Sequence, residues 1–162
     1  MLGSSVLKPH DFISLARLIL TSGNGKPSQV ALRRAVSTAY YGVFHSLASC
    51  GADLLIGGRG ALRSDPAWRQ VYRALDHGAA KSACSNSLVM QRFPQEIVDF
   101  ANVFVMMQGK RHIADYDPTA RFAKSSVSFD IDASEQAIAD LKRARKRDQS
   151  AFAALVLLKN RT

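Results

Sequence analysis

Arg34, Thr38, Tyr41 and His45 follow one another at spacings of four, three and four residues. At about 100° per residue, that puts a cation, a hydroxyl, a phenol and an imidazole on one stripe of a helix. Such a stripe could grip a phosphate and a base, the planar arginine fork suiting the phosphate and Tyr41 offering a face for stacking. The same spacing also suits a tyrosine and a histidine half-buried under a neighbouring helix, with the arginine on the surface. A second group lies later in the chain. Ile97, Phe100, Ala101, Phe104 and Val105 form an apolar face that continues into Gln108, Arg111, His112 and Asp115, with Tyr116 at its edge. Burying an unpartnered charge costs several kcal/mol, so the change from apolar to polar has two explanations. Either the helix end leaves the core and Arg111 with Asp115 is a simple i,i+4 pair, or these groups meet in a polar pocket.

Other chemistries find little footing. His10, His45, His77 and His112 fall in separate segments, with no His-Glu-x-x-His spacing, so no metal site is expected. There is no Gly-x-Ser-x-Gly elbow. Cys50 and Cys84 are too few for a disulfide scaffold or a zinc site, and neither lies in a setting that would make it a nucleophile. Gly57-Gly58-Arg59-Gly60 is a flexible basic loop without the Gly-Lys-Ser/Thr ending that cradles phosphates. No cofactor is implied. Lys142, Arg143, Arg145, Lys146 and Arg147 put five cations in six positions. They spread around a helix, which could track a phosphate backbone but is more often a solvated face.

Helices position these groups. Five segments carry helical periodicity and none shows a run of strand alternation. The first spans about Pro9 to Leu20, with Phe12, Leu15, Ala16 and Ile19 on one stripe, and closes at Gly23-Asn24-Gly25. The second runs from about Ser28 to Cys50, its apolar stripe being Leu32, Ala35, Val36, Ala39, Val43 and Leu47. The third spans about Pro66 to Ala80, and the fourth runs from Pro94 to Tyr116, where Pro118 stops it. Thr119 to Asp130 reads as irregular, with a short extended piece around Val127 to Phe129. The fifth opens at Asp132, with Glu135 as its capping-box partner, and continues to Lys159. Its apolar end, Phe152, Leu155, Val156 and Leu158, packs on this chain or on a second copy. Trp68, Phe100 and Phe104 read as core.

The chain's 162 residues make one ordinary domain, able to bury a core without disulfide or metal support. Apolar residues at 47% exclude a disordered chain. Lysine and arginine outnumber aspartate and glutamate by 22 to 13, a net charge of +9, which favours an anionic partner. The start lacks the order of an export signal, and the apolar stretches near Val103 to Met107 and Ala151 to Leu158 are far short of a bilayer span. A cytoplasmic all-α domain with no membrane partner is expected.

Two segments carry a family resemblance. Arg33-Arg34-Ala35-Val36-Ser37-Thr38-Ala39-Tyr40-Tyr41-Gly42-Val43-Phe44-His45 resembles the signature second helix of the HEPN family (higher eukaryotes and prokaryotes nucleotide-binding). Lys110-Arg111-His112-Ile113-Ala114-Asp115-Tyr116-Asp117-Pro118 is similar to the end of that family's later helix. The resemblance implies an up-and-down bundle of about five helices, usually dimeric. Many members are metal-independent endoribonucleases, often toxins of toxin–antitoxin or defence systems. Others are non-catalytic partners of nucleotidyltransferases. Active members carry an arginine, a polar residue, three to five further residues and a histidine, which two protomers bring together in a shared cleft. Here Arg111 and His112 fill the first two places, and Tyr116 stands where the terminal histidine is expected.

Two functions follow. A nuclease of this kind activates an RNA 2′-hydroxyl against the adjacent phosphate. Arg111 would stabilise the phosphate, His112 would serve as acid or base, Asp115 would orient one of them, and Tyr116 would donate a hydrogen bond. Arg34 and His45 would contribute if the second helix lines the same cleft. A phenol's ordinary pKa near 10 makes it a poor general base at neutral pH, which favours the second function. That is a non-catalytic module in which the cluster is a hydrogen-bond network or nucleotide-binding surface, and the basic excess recruits RNA, a nucleotidyltransferase or an acidic antitoxin.

Overall fold

The computed structural model describes residues 6–60 and 62–159. These are all-α: α1 (Pro9–Thr21), α2 (Gln29–Leu55), α3 (Asp65–Ala74), α4 (His77–Ser85), α5 (Ser87–Met90), α6 (Gln95–Tyr116), α7 (Lys124–Arg143) and α8 (Lys146–Leu157). No strand occurs among the described residues. None of the described helices is long and apolar enough to cross a membrane.

The helical bundle is built around α2. Ser28 caps it, its hydroxyl accepting from the Ala31 N–H, and the whole predicted stripe from Leu32 to Leu47 is buried. Gly42 lets α1 cross close by, since a Cβ there would lie 3.2 Å from the Pro9 carbonyl and 3.3 Å from the Phe12 Cβ. On the other sides α2 packs against α6, α7, α3 and α8. Ile97, Phe100 and Phe104 of α6 complete the core with Phe152 of α8, each large apolar side chain contributing about 1.5–3 kcal/mol of burial.

The later half departs from the periodicity. The expected irregular stretch from Thr119 to Asp130 is only a short connection, and α7 starts at Lys124. Val127, Asp130, Ile131 and Ser134 are its buried face, so there is no extended piece at Val127 to Phe129. Asp132 and Glu135 do not cap this helix. They lie within it and grip Arg17 of α1, with Asp132 2.7 Å from the guanidinium. The run to Lys159 is broken at Ala144, whose ψ of 149° ends α7. Gln149 closes the corner by donating to the carbonyls of Leu141 and Lys142. The third segment also divides: Leu75 turns extended, and Asp76 caps a new helix by accepting from the Ala79 N–H. Among the described residues eight helices thus stand where about five were expected, the third and fifth segments having divided.

Candidate functional site

Lys110, Arg111 and His112 project in three directions, as 100° steps require. Lys110 reaches across to α7, its ammonium 2.5 Å from Asp130, whose carboxylate is only 2% exposed. Arg111 turns toward α2, its guanidinium carbon 5.4 Å from the centre of the Tyr40 ring. It is 3.4 Å from the Asp115 carboxylate, which in turn accepts a 2.5 Å hydrogen bond from the Ser37 hydroxyl. The Arg111 Nε is buried and has no hydrogen-bond partner. His112 is exposed, its ring 5.0 Å from that of Tyr116.

The polar end of α6 is therefore two pairs. Arg111 and Asp115 face inward onto Ser37 and Tyr40, while His112 and Tyr116 face outward. Guanidinium and imidazole do not share a cleft within one chain.

A groove of about 410 Å³ does form between α2 and the end of α6, edged by Arg34, Ser37, Tyr41, Asp115 and Tyr116. Its far wall is fixed by Arg33, which donates to the carbonyls of Ala114 at 2.9 Å, Asp117 at 2.7 Å and Ala120 at 2.5 Å. Those carbonyls include ones that a helix C-terminus leaves unpaired. Gln29 holds the connection that follows α6 by both backbone groups of Phe122, donating to its carbonyl and accepting from its N–H, each at 2.9 Å. Asp117 completes the turn by accepting from the Thr119 hydroxyl and from the N–H groups of Thr119 and Ala120. These bonds, the Thr119 hydroxyl first, hold its carboxyl below the usual range. The first arginine of Arg33-Arg34 is thus a clamp on the end of α6, and the second is left exposed at the groove.

The predicted stripe on α2 is split. Arg34 and Tyr41 line the groove, Thr38 is half-buried between them in sequence, and His45 belongs elsewhere. Its ring stacks on Phe12 with centroids 4.9 Å apart, and its Nδ1 bonds the Tyr72 hydroxyl. A second imidazole, His77, lies beneath the same helix. The Tyr40 hydroxyl and the His77 Nδ1 are 2.6 Å apart, and Phe44 stacks on the His77 ring at 4.0 Å. Gln108, the first polar residue on the α6 stripe, donates to the His77 carbonyl at 3.0 Å.

Burial holds both imidazoles below the usual histidine pKa. His77 adds to the depression at His45, and Arg111 adds to that at His77. Burial pushes the Tyr40 phenol well above the usual tyrosine range. The phenol therefore stays protonated and donates to a neutral ring. Cys50 and Cys84, pushed by burial up to about 11 and about 12, hold no thiolate at neutral pH.

Sequence reasoning missed Ser37, Arg33 and His77. Ser37 is one position off the polar stripe, and His77 opens a helix too short to show a face. The visible signal was Asp76 ahead of it, a capping residue that fixes where α4 begins. The groove can hold an anion on the Arg34 fork beside two phenols, with Asp115 and Ser37 as polar partners for a sugar or base edge. No family model matches the chain, and no curated protein or solved structure matches it.

Proposed function

We propose that the chain is a cytoplasmic, HEPN-like helical module that binds single-stranded RNA in the groove between α2 and the end of α6, without cleaving it. The observation that carries this reading is Arg34. It is exposed, makes no ion pair among the described residues, and borders the groove together with Tyr41 and Tyr116. Arginine beside aromatic faces is the combination that sequence-tolerant binding of single strands uses. The net charge of +9 gives the encounter a favourable field. Arg111, by contrast, is engaged with Tyr40 and Asp115 and is only 14% exposed, a setting that suits a structural network.

The catalytic reading, a metal-independent endoribonuclease assembled in a homodimer, is favoured by one feature. The Arg111 Nε is an unused buried donor, and a partner or substrate closing over it would give it an acceptor. A nucleotidyltransferase or an acidic antitoxin, which the HEPN resemblance implies as partners, would meet the same basic surface.

Anisotropy titration of labelled RNA separates these readings. Arg34→Ala and Tyr41→Ala should each weaken binding by roughly 1–3 kcal/mol. The exposed Arg34→Ala should leave the melting temperature unchanged and Tyr41→Ala should lower it, because that ring packs against the core. Binding that ignores both substitutions refutes the groove. RNA incubated without metal should come back intact. Fragments ending in 2′,3′-cyclic phosphate, lost in Arg111→Ala at unchanged stability, would replace the binding reading with the nuclease.

A further inference from the structure

A second cleft, about 340 Å³, lies between α3, the glycine-rich segment that precedes it, and Val6 and Leu7 ahead of α1. Four arginines line it: Arg59, Arg63, Arg69 and Arg73. Its acidic lining residue, Asp65, is already engaged, 3.2 Å from the Arg63 Nε. Arg63 is a fixed part of the wall. It donates to the Gly57 carbonyl at 2.9 Å, lies 3.5 Å from Asp53, and stacks its guanidinium 4.8 Å from the Trp68 ring centre. Trp68 donates its indole N–H to Asp53 at 2.8 Å.

The other three arginines have no carboxylate partner among the described residues. Arg69 and Arg73 are exposed and stand one turn apart on α3, where like charges repel. Neither supports the core, so folding gains nothing from the arrangement. Arg59 joins them from the turn between Gly57, at φ +129°, and Gly60, at φ +81°. Left-handed backbone of this kind is cheap only for glycine. A concentration of unpaired forks is what a bound anion would relieve, and each fork offers two parallel donors that match a phosphate.

The floor adds a preference among anions. Tyr72 is half-buried with its hydroxyl bonded to His45, and its ring is held between that imidazole at 5.7 Å and Trp68 at 5.0 Å, centroid to centroid. A fixed aromatic ring in the lining beside phosphate-binding forks suits a base-bearing chain better than a carboxylate-rich peptide.

We propose that this cleft is a second phosphate-binding site, in which Arg59, Arg69 and Arg73 hold the backbone of an RNA strand against Tyr72. The occupant rests on the RNA-binding reading above, whereas the phosphate chemistry rests on the cleft alone.

The test is the double variant R69A/R73A, assayed by RNA anisotropy across a salt series and by thermal shift with inorganic tripolyphosphate. Both side chains are exposed, so the variant should melt no lower than wild type. Its RNA affinity should fall roughly tenfold. The slope of log K against log salt should lose about 1.4, two phosphate contacts at about 0.7 each. Tripolyphosphate should raise the melting temperature of wild type and not of the variant.

RNA binding that R69A/R73A leaves unchanged while Arg34→Ala weakens it would overturn this site and leave the groove standing. A wild type that ignores RNA but is stabilised by tripolyphosphate through these arginines would overturn the RNA reading and keep the phosphate site. Polyglutamate competing as well as RNA would overturn the assignment to phosphate. A chain that responds to neither RNA nor tripolyphosphate overturns both.

Discussion

The end of α6 and the junction of α7 with α8 are both dense in charge, yet they use it in opposite ways. Around residues 110–115 the cations turn in toward neighbouring helices. Lys110 meets the nearly inaccessible Asp130, and Arg111 lies between Tyr40 and Asp115. Around residues 142–147 the cations point outward. Arg143 is 64% exposed and Arg147 80%, and their partners Asp140 and Asp148 lie on their own or the adjoining turn. Charge density alone does not separate a network that supports the core from one that decorates it. The exposure of the cation does, together with the number of donors its carboxylate keeps. Lys110 and Arg111 are 36% and 14% exposed, and the buried Asp130 is held by Lys110 alone among the described residues. Asp140 and Asp148, also buried, each have a second donor, Gln136 for the one and a second arginine for the other.

That difference predicts unequal losses. Lys110→Met keeps the apolar stem and removes the ammonium, leaving Asp130 buried and unpaired. Urea unfolding should show a loss of about 3–5 kcal/mol. A loss below about 1 kcal/mol would mean that Asp130 finds water or another donor, and the contrast between the two regions would collapse.

The first half of the fold was legible because α2 is long and its apolar stripe is unbroken, although as the central helix it buries Ser37 and Tyr40 beside that stripe as well. Its stripe from Leu32 to Leu47 is the buried face, and Ser28 and Pro118 mark real boundaries. The second half was obscured for a physical reason. Asp132 and Glu135 carry the types and spacing of a capping box, but a carboxylate on an exposed helix face serves equally well to grip an arginine from α1, and tertiary contact settled the choice. The site was legible only in part. Residue spacing put Arg111, His112 and Asp115 on one side of α6, within a fan of about 100° that has Arg111 and His112 at its edges and Asp115 between them. That fan is wide enough for one edge to meet α2 while the other meets solvent. Which edge turned inward depended on Ser37 and Tyr40, residues 71 to 78 positions away in the chain.

The next effect is one of pH, and it sharpens the contrast between buried and exposed imidazoles. His45 and His77 have their folded pKa values lowered, chiefly by burial. The unfolded chain, with histidine near its ordinary value of about 6.5, therefore binds more protons than the folded one on the acid side. Their contribution is intact above about pH 6.5 and is lost as pH falls through that value, the decline ending below the lowered folded values. Melting temperature should drop between pH 7.5 and 5.5, by roughly 2–4 °C for each kcal/mol lost. His77→Asn, whose amide oxygen can still accept from Tyr40, should flatten part of that slope, and His112→Asn should not. An equal flattening by both would show that burial does not distinguish the two rings.

The smallest expected effect lies in the basic run itself. Arg145 lies 3.1 Å from Asp148, a carboxylate 13% exposed, and Arg147 reaches the same group at 3.6 Å. Either arginine can therefore be lost while the other remains. Both are more than 70% exposed, and pairs with one end in solvent are worth about 0–1 kcal/mol. Arg145→Ala and Arg147→Ala should each cost less than about 0.5 kcal/mol. The double variant should cost more than their sum, because only then is Asp148 stranded. Additive single and double losses would mean that Asp148 is solvated in either case, and the region would be decoration in the full sense. A large loss from one arginine alone would make this junction resemble the end of α6, the buried Asp148 depending on a single donor.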